Sequence, residues 1–76
     1  MNVQKLVKMA NEIAAFFASE PDASLRLAGV AGHLRRFWDP RMRRELLAYV
    51  DGGGEGLSDL ARAAIEKHKE ELRPAA

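Results

Sequence analysis

An all-α fold, a small bundle of three to four short helices, is the architecture this sequence predicts. Three observations carry that reading. Apolar residues recur at helical spacing along the whole chain, no run alternates as a half-buried strand does, and each periodic segment is bounded by a capping residue, Gly or Pro. Its 76 residues allow one helical domain, residues 1–76, with a disordered tail expected from about residue 73.

The first helix is expected from about Asn2, a competent N-cap, to about Ser19, just ahead of Pro21. Val3, Leu6, Val7, Met9, Ala10, Ile13, Ala14, Phe16 and Phe17 share one side and cover about half the circumference, which predicts packing on two sides. Asp22 or Ser24 caps a second helix that extends to about Phe37. Its inward stripe holds Leu27, Val30, Ala31, Leu34, Phe37 and Trp38, while Arg26, His33 and Arg36 point away. Gly29 and Gly32 lie on that outer side beside Leu25 and Ala28, where each glycine costs roughly 0.5–1 kcal/mol relative to Ala. Close approach of another backbone would account for them, and so would simple tolerance in a small domain.

Asp39-Pro40 is the sharpest boundary. Proline disfavours helical geometry in the residue before it and suits the first helical position, so one helix ends and the next begins here, with Asp39 as N-cap. The third helix presents Met42, Leu46, Tyr49 and Val50 inward, with Leu47 at one edge, and stops before Gly52. The run Gly52-Gly53-Gly54-Glu55-Gly56 lacks the Lys-Ser/Thr ending and the preceding strand of a phosphate-binding loop, and is expected to be a flexible connector. Ser58 caps a fourth helix with Leu57, Leu60, Ala61, Ala64, Ile65 and Leu72 on one face, and Pro74 marks its end.

The chain offers no convincing catalytic set. It has no Cys, which removes disulfides and thiolate metal sites, and its two histidines fall on different helices. His33 is expected on a polar surface with the arginines, and His68 near a helix C-terminus where a cation suits the dipole. The interruption of the N-terminal apolar run by Lys8, Asn11 and Glu12 argues against a secretory signal, and no stretch is long and apolar enough to span a membrane. The expectation is a cytoplasmic protein with no membrane partner.

Between His33 and Arg44 five arginines surround the only Trp. Arg35 and Arg36 end the second helix, where positive charge suits the dipole; Arg41, Arg43 and Arg44 begin the third, where it does not. Compensation should come from Asp39, from Glu45 or from acidic groups on a partner. Arg43, at the edge of the apolar face, should be partly buried and paired, whereas Arg26 and Arg44 read as solvated. Buried Arg and Trp are typical anchors of protein interfaces, so Arg35, Arg36, Trp38, Arg41 and Arg43 are the candidate partner-docking residues. Nucleic acid is the rival partner for an Arg-rich turn, but the net charge is only +1 and the third helix lacks the polar residues that read base edges.

With these residues in view, the chain resembles the small delta subunit of soluble, molybdenum-containing, NAD-dependent formate dehydrogenases. The likeness covers roughly residues 3 to 65. It rests on the segment from Lys5 to Phe17, the Arg-Trp stretch from His33 to Arg43 with Arg-Phe-Trp-Asp-Pro-Arg-Met as its specific part, and Gly53-Gly54-Glu55-Gly56-Leu57. The resemblance implies a non-catalytic accessory subunit docked on the catalytic alpha subunit. It further implies that the complex carries bis-molybdopterin guanine dinucleotide, iron-sulfur clusters and FMN, none of them bound by this chain. A transient maturation chaperone for molybdenum cofactor insertion is the alternative, and a small DNA-binding regulator ranks third. A chain this short buries only about 60% of its unfolded surface, so the isolated protein is expected to self-associate or melt readily.

Overall fold

The computed structural model describes residues 2–75, and every regular element in it is a helix. In chain order these are α1 (Val3–Phe17), α2 (Ala23–Phe37), α3 (Pro40–Asp51), α4 (Asp59–Lys67) and the single turn α5 (Lys69–Leu72). Among the described residues there is no strand, as the periodicity predicts.

Each of the four longer helices starts at a polar residue that accepts a hydrogen bond from an otherwise orphan backbone N–H. The Asn2 side chain accepts from the Gln4 N–H at 2.7 Å, Asp22 from Leu25 at 3.1 Å, Asp39 from Met42 at 2.9 Å and Ser58 from Ala61 at 3.2 Å. Such caps contribute about 1 kcal/mol each. Asp22, not Ser24, caps the second helix. Pro40 occupies the first turn of α3, where its missing N–H is not needed.

α2 is the central element, packed against α1, α4 and α5, while α1 also touches α3 and α4. That gives α1 the two-sided packing its wide apolar arc predicts. Leu6, Ala10, Val30, Leu34, Ala61, Ala64 and Ile65 have no exposed surface. Ala61 and Ala64 keep the α4 surface shallow, so α4 lies close against α2. Leu46, Leu47, Val50, Leu57, Trp38 and Leu72 complete one continuous core.

Four expectations are corrected. Phe16 and Phe37, placed inward by periodicity, are 78% and 70% exposed. At the end of α2 two adjacent aromatics compete for one inward position; the chain turns to extended geometry at Trp38 (φ −91°, ψ 133°), which carries the larger ring inward and leaves Phe37 outside. The fourth helix is not continuous to Pro74 but breaks at His68 (φ −106°, ψ 25°), and the separate turn α5 seats Leu72 in the core beside Leu34, Trp38, Leu46 and Leu47. Burying a Leu side chain contributes about 1.5–3 kcal/mol, enough to offset the interruption of one helical turn.

The glycine run is not a flexible connector. Arg62 donates to the Gly53 carbonyl at 2.7 Å and the Gly54 carbonyl at 2.9 Å, the Tyr49 hydroxyl donates to the Glu55 carbonyl, and Asn11 grips the far end. The Asn11 amide donates to the Gly56 carbonyl at 2.9 Å while its oxygen accepts from the Ser58 N–H at 2.8 Å. Gly54 is buried at φ +63° and Gly56 sits at φ +93°, the left-handed region that favours glycine. The composition of this loop therefore answers to shape and not to mobility.

Candidate functional site

The sequence-predicted arginines divide once they are placed in the fold. Arg35 and Arg36, on the last turn of α2, and Arg43, on the first turn of α3, line one groove of about 580 Å³ together with Glu70, Glu71, Arg73 and Ala75. Arg41 is exposed on α3 and does not line this groove. Trp38 is only 5% exposed, held in the core under the turn that joins the two arginine-bearing helices. It is not part of their exposed surface, and it borders a small gap in the core with Arg43, Leu34, Leu46, Leu47 and Leu72.

Within the groove the charges are unequally matched. Glu70 pairs with Arg73 at 2.7 Å and Glu71 with the Nδ1 of His68 at 3.1 Å, so both carboxylates already have a neighbour on their own element. Arg43 is half-buried, and its guanidinium donates to the Leu72 carbonyl at 3.3 Å. The compensation for Arg43 is thus a backbone carbonyl at the end of α5, where helix carbonyls lack internal N–H donors, and not Asp39 or Glu45. Its Nε is buried and has no hydrogen-bond partner, as does the Nε2 of His68. Among the described residues no carboxylate pairs with Arg35, Arg36, Arg41 or Arg44. Lys69 and Asp51, by contrast, form an ion pair that ties α5 to the end of α3.

His33 departs from the polar surface expected for it. Its ring is half-buried and lies tilted on Phe37, with centroids 4.7 Å apart. It lines a separate, largely apolar cavity of about 280 Å³ with Glu12, Ile13, Phe16 and Phe17. Gly29 owes its place to the same region. A Cβ there would stand 2.5 Å from Phe17 Cδ1, so the glycine admits an aromatic ring and not a neighbouring backbone. At Gly32 a Cβ would meet only the Arg36 guanidinium, at 3.5 Å, and no close approach explains that glycine.

Arg73, Glu70 and Glu71 were not legible as groove residues. Their presence depends on the break at His68, which no spacing rule announces. With the arginine groove and its supporting turn described, the comparison with known families becomes specific: the model of the NADH-dependent formate dehydrogenase delta subunit, FdsD, matches residues 5–65. The chain belongs to this family. The matched span includes Asn11, Trp38, Arg35, Arg36, Arg41, Arg43 and the pinned glycine loop, and stops short of α5. No curated protein and no solved structure matches the chain. Among the described residues no helix is long and apolar enough to cross a membrane.

Proposed function

We propose that this chain is a non-catalytic accessory subunit of NADH-dependent formate dehydrogenase that docks on the catalytic subunit and supports assembly or activity of the complex. The observation that carries the reading is the set of arginines without carboxylate partners, Arg35, Arg36 and Arg41, beside half-buried Arg43. Guanidinium groups held on rigid helix ends are suited to bidentate recognition of carboxylates on another protein. Trp38 contributes by fixing the angle between α2 and α3, and so the spacing of the arginines. Bis-molybdopterin guanine dinucleotide, iron-sulfur clusters and FMN belong to other subunits on this reading. A chain without Cys has no thiolates with which to hold a cluster.

Arg35→Glu with Arg36→Glu tests the reading directly. Both side chains are exposed, so helical content by circular dichroism should be unchanged while affinity for the purified catalytic subunit falls at least tenfold. Unchanged affinity would make the arginines an ordinary solvated face and remove the support for docking through them.

A further inference from the structure

We propose that α5 is a displaceable plug: its Glu70-Glu71-Leu72 segment occupies the seat of a partner segment in which carboxylates adjoin an apolar side chain, and docking exchanges one for the other. The inference rests on the accessory-subunit reading above and deepens it, since the seat adjoins the arginine groove. Leu72 is 2% exposed and packs among Leu34, Trp38, Leu46 and Leu47, while Glu70 and Glu71 line the groove that Arg35, Arg36 and Arg43 border on α2 and α3. One turn of helix thus offers the arginine wall the combination of charge and apolar bulk that a docking segment needs. The match is incomplete. Neither glutamate pairs with Arg35, Arg36 or Arg43; Glu70 is engaged by Arg73 and Glu71 by His68, both within the same short segment. The Arg43 Nε is buried without a partner, and a small gap that admits no water remains beside Leu72.

What holds α5 closed is slight. It is the last helix among the described residues and joins α4 through His68 alone, so it can swing away without disturbing α1 to α4. Its anchors are the Leu72 side chain, the Arg43 guanidinium on the Leu72 carbonyl at 3.3 Å, and the ion pair of Lys69 with Asp51, which water screens because both side chains are partly exposed. Against them stand Arg43 Nε and His68 Nε2, two buried nitrogens that the closed position leaves without hydrogen-bond partners. Segments held by few buried contacts are the first to open in a native protein. Glu70, Glu71 and Arg73 leave with α5, and Asp51, freed from Lys69, does not line the groove. A groove of mixed charge therefore becomes a wall of Arg35, Arg36 and Arg43 beside an open apolar slot. Carboxylates answer the guanidinium groups bidentately, and an apolar side chain next to them fills the slot, which defines the occupant. A second copy exchanging its own α5 would remake the same contacts with the same two orphaned nitrogens and lose translational freedom besides, so a different protein is favoured.

The test uses the full chain and purified formate dehydrogenase lacking its delta subunit. The Leu72 and Arg73 amides donate to the His68 and Lys69 carbonyls while α5 is seated, and a lone turn does not keep such bonds in water. Hydrogen exchange at these two amides should therefore be at least tenfold faster in the complex than in the free chain, while the end of α2 and the start of α3 gain protection. Asp51→Cys with Lys69→Cys, joined by a short bismaleimide in this otherwise Cys-free chain, locks α5 shut. The linked form should bind at least tenfold more weakly than the same variant left unlinked, with equal helical content. Photo-leucine at position 47, in the wall of the slot, should label a partner peptide in which Asp or Glu adjoins an apolar residue. Protection of the Leu72 and Arg73 amides in the complex, equal affinity of linked and unlinked forms, labelling of a peptide without carboxylates, or linkage between positions 51 and 69 of two different copies each overturns the proposal. In any of these cases a loss of binding in Arg35→Glu/Arg36→Glu leaves the accessory-subunit reading standing. Failure of the unsubstituted chain to bind the delta-free enzyme overturns both.

Discussion

Gly29→Ala and Gly32→Ala should change stability in opposite directions, although the two glycines lie three residues apart in the same helix. In a helix interior, replacing Gly by Ala contributes about 0.5–1 kcal/mol by restricting the unfolded chain, provided that the new methyl fits. At Gly32 it fits: the Arg36 guanidinium at 3.5 Å is an ordinary contact on a flexible side chain. At Gly29 the methyl would lie 2.5 Å from Cδ1, 2.6 Å from Cε1 and 3.2 Å from Cγ of Phe17, so the whole ring must move. Phe17 packs against the core, and forcing extra volume into a packed site costs about 1–3 kcal/mol, which exceeds the helical gain. In a domain of this size 1 kcal/mol corresponds to roughly 4–8 °C in melting temperature. Thermal unfolding followed by circular dichroism should therefore show Gly32→Ala melting roughly 2–8 °C above the parent, and Gly29→Ala below it. Gly29→Ala with Phe17→Ala should recover part of the helical gain. Equal stabilisation by both single substitutions would refute the contact between Gly29 and Phe17, and with it the wall of the apolar cavity.

Trp38→Ala should cost about 3–5 kcal/mol, a large part of the total stability of so small a domain, and abolish cooperative melting or lower the melting temperature by more than about 12 °C, the lower bound set by that cost; a shift under about 5 °C would place the ring outside the core. Asn11→Ala removes two hydrogen bonds to the glycine loop and should destabilise by about 1–2 kcal/mol, with amide exchange at Leu57 and Ser58 accelerating before that of α2. Exchange that rises uniformly across the chain would contradict a local clamp.

Much of the fold was legible because its determinants are local. The four caps, the break at Asp39-Pro40 and the stripe of Val30, Ala31 and Leu34 each depend on residues within one turn of one another, and the structure contains all of them. Phe37 was misplaced because periodicity assigns a direction to each residue of a helix but does not say where the helix stops turning. Once Trp38 leaves helical geometry, its ring takes the inward position. The glycine run was misread for a different reason. Its composition implies mobility, whereas the groups that hold it, Asn11, Tyr49 and Arg62, come from three helices and converge only in the folded chain. At the candidate site the arginines were visible as a cluster, and Arg41 and Arg43, two residues apart on α3, point to different sides of that helix, whereas the arrival of Glu70, Glu71 and Arg73 depends on the bend at His68.

The Asn11 clamp also has a temporal meaning. Its two hydrogen bonds join residues 45 and 47 positions apart in sequence, so they close a loop that contains all of α2 and α3. α1 and α2, joined by a short turn, can pair early at small entropic cost, whereas closing the larger loop comes later. An interaction made after the folding barrier leaves the folding rate alone and slows unfolding. Asn11→Ala should accordingly speed unfolding more than it slows folding in stopped-flow kinetics, as expected of a latch that sets how long the bundle stays closed.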